Sequence, residues 1–376
     1  MVDGWTGLTE EHRELSRTAA RLLADAARKD PLPPDWDALP LGLNRSLWAA
    51  LGELGLLGLA VPEALGGGGA GVLEQCLLAE QVGAAVPAVP FAVTAVVTAV
   101  LTRSAGAGAA LSGAALSGAA LSGVAADVLR DVTAGSAVAT TAWQTWPASV
   151  VPWRRPGVLS SDGSVISGTL GAMPFGMDAD WLLAFDAGGA PLLVDLAGPG
   201  VRRESADSLD VMEPVASVRL TDAPATVLPL PELPVAEILT VFAAELVGTG
   251  QRALDGAVSY AKERRQFGRA IGSFQAIKHM LADRYVQLDA ARLLVRTAAA
   301  DAGAPAGPES ELAARTALAA ASDAADAATG DALQTHGGIG FTWEHPSHVL
   351  LKHARARRAL LGSQARQLAA IADHVL

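Results

Sequence analysis

Three successive textures in the chain predict an α+β fold: an N-terminal α-helical domain (1–133), a middle antiparallel β domain (134–233) and a C-terminal four-helix bundle (234–376). In the first and last parts apolar residues recur three and four apart, as at Ala253, Leu254, Ala257, Val258 and Ala261. That is the spacing of a buried helical stripe. In the middle part, short apolar runs alternate with glycine and aspartate, the punctuation of strands and tight turns. A length of 376 residues exceeds one typical core, so several packed units are expected.

Thr9 followed by Glu10, Glu11 and Glu14 reads as a helix start, the hydroxyl capping free amides and the acids facing the positive end of the dipole. This helix should run to about Lys29. A proline-rich break, Asp30-Pro-Leu-Pro-Pro34, precedes a second helix from Leu43 to Leu57. The four glycines ending at Gly69 lack a following Gly-Lys-Ser/Thr, so they read as a bend and not as a phosphate loop. Between Ala105 and Val124, Leu111, Leu116 and Leu121 stand five apart, which matches neither the helix nor the strand period. The leucines drift around any helix, so an expanded loop or small helices without a functional role are expected there. Past Ala134, Asp162-Gly163 marks a hairpin in the run Val158 to Ile166. Further strands are expected at 181–185, 191–195, 216–220 and 225–228, with Pro229, Pro231 and Pro234 closing the domain.

Hydrophobic residues make up 51% of the chain, and 28 basic against 39 acidic side chains give a net charge of −11. This balance argues against general attraction to nucleic acid or an anionic membrane surface, and leaves local basic clusters to meet a small anion. The single Cys76 excludes an intramolecular disulfide, and its neighbours Leu77 and Leu78 suggest a buried thiol. Met1-Val-Asp-Gly-Trp5 lacks a basic start and an apolar core, and the run Phe91 to Leu101 falls short of the ~20 residues that span a bilayer. A soluble cytoplasmic protein without a membrane partner is the expectation.

The most informative stretch is Tyr260 to Asp283. Arg264, Arg265 and Arg269 cluster there, broken by Gly268 and Gly272, between two helical stripes. Guanidinium groups at a helix boundary can clamp a phosphate or pyrophosphate. Together with Gln334-Thr-His-Gly-Gly-Ile-Gly-Phe341, this stretch resembles the paired signatures of the acyl-CoA dehydrogenase family of flavoproteins. The order of helices, a small β domain and a helical bundle is similar to that family's architecture, and the resemblance covers nearly the whole chain.

The resemblance implies FAD held between the β domain of one subunit and the C-terminal helices of a neighbour. By position, Arg264, Gln266 and Phe267 match the turn that holds the pyrophosphate, Gln275 a polar residue near the adenosine, and Gln334, Gly337 and Gly338 the second loop. The implied reaction introduces an α,β double bond into an acyl-CoA or acyl-carrier-protein thioester. A carboxylate takes the α proton, and electrons leave to an electron-transfer flavoprotein or similar acceptor.

The positions where the family places that carboxylate read Leu361 and Ile238. Glu245, two turns after Ile238 on the same helix face, is the candidate catalytic base; its alternative role is an ion pair with an arginine such as Arg252 or one from a neighbouring subunit. The usual flavin-flanking passage appears as Thr141-Ala-Trp-Gln-Thr-Trp-Pro147, and the residues beside the flavin ring fall on Ala172 and Pro174. Proline offers neither hydroxyl nor N–H there. His345 and His348 near Glu344 lack further ligands at metal-binding spacing, so no metal is expected. Three readings follow: a dehydrogenase acting on an unusual acyl thioester; the base-lacking partner in a heteromeric dehydrogenase; or a protein of this fold with a non-redox role. The second is suggested by Ala243-Ala-Glu-Leu-Val-Gly248. The assembly is expected to be a homodimer, a homotetramer or a heterotetramer with a related subunit.

Overall fold

A computed structural model describes residues 7–29, 42–112, 123–148, 150–151, 159–161, 163–302, 307–361 and 364–375. The prolyl break at 30–34, the repeat residues Leu116 and Leu121, Asp162 and residues 303–306 lie outside these.

Helix α1 (Glu10–Lys29) carries acids in its first turn and Arg28 and Lys29 in its last, so both ends complement the helix dipole. The Thr9 hydroxyl accepts the His12 N–H at 3.3 Å, as a cap should. Helix α2 (Arg45–Glu53) is capped by Asn44, whose side chain accepts from Leu47 N–H at 3.0 Å. It ends four residues before the expected Leu57, because Gly55 turns left-handed at φ 70° and the chain tightens into a 3-10 turn over Leu56–Gly58. Helices α3 (Val72–Ala85) and α4 (Phe91–Ser112) are apolar on nearly every side and form the centre of the domain, with Leu78, Ala92, Val93, Val97 and Leu101 all fully buried. Cys76 is buried on α3, where burial raises its pKa, so it is an inert thiol. The short amphipathic α5 (Val124–Thr133) closes the domain.

The middle domain is a bent sheet of seven strands: β1 (Ala139–Thr141), β2 (Leu159–Ser161), β3 (Val165–Pro174), β4 (Trp181–Phe185), β5 (Pro191–Asp195), β6 (Val201–Ala206) and β7 (Val215–Val227). Along the sheet the order is β1-β4-β5-β7-β3-β2, with β6 also paired to β7. Two features differ from the expected pattern. The runs at 216–220 and 225–228 belong to one long strand, β7, which bonds β3 and β6 at one end and β5 at the other and so bends the sheet. The pairing is also not wholly antiparallel: β1 enters from α5 and lies parallel to β4. Strand β6, Val-Arg-Arg-Glu-Ser-Ala, carries three consecutive charged residues and lacks an apolar run.

The C-terminal part packs α6 (Val235–Glu263), α7 (Gln275–Ala302), α8 (Pro308–His336) and α9 (Ser347–Leu360) into a bundle, with α10 (Gln364–Val375) against α8. Alanines at 314, 317, 321, 325 and 328 line the buried side of α8 and let α6 approach closely. The tightest crossing joins the two helical domains. A Cβ on Gly83 of α3 would lie 1.9 Å from the Glu245 carbonyl oxygen, and one on Gly248 of α6 would lie 1.9 Å from that of Glu80. Only glycine fits either place.

Candidate active site

The arginine turn and the glycine loop share one end of the bundle. Helix α6 stops at Glu263, and the chain turns back through a two-strand ribbon, β8 (Arg265–Gln266) and β9 (Arg269–Ala270). Phe267 (φ 52°) and Gly268 (φ 79°) form its two-residue tip, both left-handed as a type I′ turn requires. Gly272 then passes so close to the Ala261 carbonyl that a Cβ would sit 2.9 Å from its oxygen. Arg269 lies 4.0 Å above the Phe274 ring, which fixes the second strand of the ribbon. Nearby, α8 ends at His336, whose ring stacks on Tyr260 of α6 at 4.6 Å, and Gly337–Phe341 continue as a 3-10 turn.

Arg264, Gln266, Phe267, Gln275, Gln334 and Gly338 are all exposed at this end, Phe267 to 91%; Gly337 is half-buried. Arg264 makes no ion pair among the described residues. Gly338 has no positive φ, and no atom lies within 4 Å of where its Cβ would be. Nothing inside the chain therefore demands glycine there. An exposed guanidinium beside a glycine turn open to close approach suits a diphosphate arriving from outside the chain.

The ring end of a flavin site is built differently. Thr140 donates to the Pro174 carbonyl at 2.5 Å, and Trp146 Nε1 donates to Thr141 Oγ1 at 2.6 Å, so this passage is tied down inside the domain. Trp143 is 2% exposed and stands 5.3 Å from Trp146 and 5.6 Å, edge-on, from Phe242 of α6. Its indole N–H has no partner. Ala172 is forced to φ 49° within the bulge of β3, and Pro174 follows with no N–H to offer. The residues present fit FAD at its pyrophosphate end and do not fit it at its ring end.

Neither family base position supplies a carboxylate. Leu361 and Ile238 are each 1% exposed in apolar packing. Glu237, one residue further round α6, pairs with Arg103. Glu245 sits in a buried ionic clasp that ties the middle domain to the bundle. Arg357 on α9 donates to it twice, Nε to Oε2 at 3.1 Å and Nη2 to Oε1 at 3.2 Å. His353 Nε2 faces Oε1 at 3.4 Å, an ion-pair separation beyond good hydrogen-bond reach. From the middle domain, Asp210 meets His353 Nδ1 at 2.5 Å, and Glu213 pairs with Arg357.

Burial pushes the Glu245 carboxyl up, but Arg357 and His353 more than offset it and hold the group at about 2. Burial likewise opposes a charged His353, yet Asp210 holds it at about 9. Glu213 is raised, chiefly by burial, against the pull of Arg357. Three carboxylates, Asp210, Glu213 and Glu245, face two cations, His353 and Arg357. This geometry departs from the base expected at Glu245, because a carboxylate held at about 2 by a bidentate guanidinium is a poor proton acceptor. It also replaces Arg252 as the pairing arginine. The sequence held only a faint signal for Arg357: it stands four residues after His353, on the face of α9 that carries the buried Leu350 and Ala354, amid a basic run that otherwise looks solvated. No described group of His, Cys, Asp and Glu could hold a metal, and no described helix is long and apolar enough to cross a membrane.

Residues 9–107 match the acyl-CoA dehydrogenase N-terminal domain, and residues 240–376 match the acyl-CoA dehydrogenase C-terminal domain. The acyl-CoA dehydrogenase IpdE2 of Mycobacterium tuberculosis is 31% identical over 94% of this chain and 94% of its own length. The chain belongs to the acyl-CoA dehydrogenase family. Its members are FAD-binding oxidoreductases acting on CH–CH groups. Acyl-CoA dehydrogenase FadE34 of the same organism is 32% identical over 98% of this chain, which spans only 47% of FadE34. Among solved structures, the ChsE4-ChsE5 complex from Mycobacterium tuberculosis superimposes with a TM-score of 0.79 at 25% identity, covering 98% of each chain.

Proposed function

We propose that this chain is one unit of a heteromeric FAD-dependent acyl-CoA dehydrogenase, working in the cytoplasm on an unusual acyl thioester. In this reading it presents Arg264, Gln266, Phe267, Gln334, Gly337 and Gly338 to the pyrophosphate end of a flavin, and Gln275 to the adenosine. The ring bed and the proton-abstracting carboxylate belong to a related subunit. Bound FAD supplies hydride acceptance, and a flavoprotein acceptor takes the electrons onward.

One observation carries the reading: where the family places its base, this chain has Leu361 and Ile238, and the candidate Glu245 is committed to Arg357. The buried Trp143 agrees with it, since its ring packs against Phe242 inside the protein and is not presented to a ligand. The complex of ChsE4 with ChsE5 offers a precedent of the same fold. The length of FadE34, about twice the matched stretch, leaves space for a second such unit in one chain.

The test is expression of the chain alone and together with a related subunit that carries glutamate at the position of Leu361. The expected outcome is a colourless protein alone, and a yellow complex with one FAD per pair of chains that an acyl-CoA bleaches. A yellow homo-oligomer with one FAD per chain, bleached by an acyl-CoA without any partner, would refute the reading.

A further inference from the structure

A cavity of about 350 Å³ opens where all three domains meet. The last turns of α1 and the start of α2 form one wall, through Leu23, Ala26 and Leu47. The connection from α3 to α4 forms another, and within it Val86, a β-branched residue, is held at φ 47°. Met212 of the middle domain and the segment Trp343 to Leu350 complete it. Leu350 lies in this wall, and Leu361 is eleven residues further along, roughly 16 Å at the rise of a helix. The cavity is therefore separate from the position of the family base. Meeting points of domains are favoured places for small-molecule sites, and this volume is within their usual range.

Its polar groups converge on the segment before α9. His348 is 9% exposed, packs edge-on against Trp343 at 4.3 Å, and its buried Nε2 has no hydrogen-bond partner among the described residues. Such orphaned atoms are rare in native interiors. His345 accepts at Nδ1 from the Ser347 N–H at 3.3 Å and from its hydroxyl at 2.8 Å, so its own proton lies on Nε2. Burial lowers the pKa of both histidines. Arg252 and Glu344 also line the cavity, one cation and one anion, so its described lining carries no net formal charge.

We propose that this cavity binds a small uncharged hydrophobe bearing one hydroxyl or carbonyl oxygen, held by a hydrogen bond in the neighbourhood of His348 and His345. At ordinary packing density the volume suits roughly a dozen non-hydrogen atoms. The apolar walls take the body of the molecule, and the imidazoles take its oxygen. A carboxylate would gain Arg252 but meet Glu344.

The probe is 2-decalone, titrated calorimetrically into the purified full-length chain, with decalin-2-carboxylate as the anionic comparator. Saturable binding at one site is expected for the ketone, with the carboxylate markedly weaker. Ala85→Trp, which fills the cavity from the α3 side, should abolish binding. His348→Phe keeps the ring against Trp343 and should weaken binding about tenfold, the loss of one buried hydrogen bond. Absence of saturable ketone binding, equal affinity in either folded variant, or tighter binding of the carboxylate would overturn the proposal.

Discussion

Replacing Glu245 by glutamine separates a structural clasp from a catalytic base. The substitution keeps the shape and one acceptor oxygen, but removes the charge that Arg357 reaches through two hydrogen bonds and that His353 faces at 3.4 Å. Breaking a buried ion pair by removing one partner costs ~3–5 kcal/mol. Because glutamine can still accept one bond, about 3 kcal/mol is expected here, a roughly hundredfold shift in the folding equilibrium. Urea unfolding followed by tryptophan fluorescence reads this directly, since Trp143 reports through Phe242, over whose ring Arg357 lies at 5.6 Å. In the assembled enzyme, turnover per folded molecule should change less than about twofold, since less than ~0.5 kcal/mol of barrier is at stake. Arg357→Met should destabilise by at least as much. The double variant should fall short of the sum, because both changes remove the same interaction. A Glu245→Gln protein with the wild-type urea profile and no turnover would refute the clasp and make Glu245 the base.

The clasp also predicts a pH dependence with two edges. His353 is raised from its ordinary 6.5 to about 9, so its contribution is complete below 6.5 and disappears as pH rises through about 9. Glu245 is depressed from 4.5 to about 2, so its share is present above 4.5 and is lost as pH falls through about 2. Thermal melting in a pH series should lose its alkaline edge in His353→Asn. Arg264→Ala should leave the melting curve of the unliganded chain unchanged and weaken FAD retention by the assembly ten- to hundredfold, about 1.5–3 kcal/mol, measured by flavin release on dilution. Gly248→Ala should destabilise by at least ~1–3 kcal/mol by overpacking against the Glu80 carbonyl, visible as a lower urea midpoint.

What could be read from the sequence was local. The helical stripes, the short strands at 181–185 and 191–195, and the arginine turn rest on spacing within a few residues, and the structure places each as an element at that spot. Long-range geometry was harder to read. The joining of two apolar runs into β7 and the parallel pairing of β1 with β4 depend on partners that alternation does not name. The site shows the same limit. An acid inside the apolar run of α6 signals a partner, but Arg357 lies 112 residues away, on a helix whose run of basic residues looks like a solvated end. Asp210 and Glu213 sit in a loop with no pattern at all, and only the fold brings them to α9.

The crossing of α3 over α6 has a consequence for motion. With Gly83 and Gly248 each seated against a carbonyl of the facing helix, and the Thr249 hydroxyl donating across to the Gly83 carbonyl at 3.0 Å, the two helices interlock at the level of the main chain. Sliding or hinging there would drive a backbone oxygen into a Cα. Amide hydrogens of α3 and α6 should therefore exchange together, at the slowest rate in the molecule, as one cooperative unit.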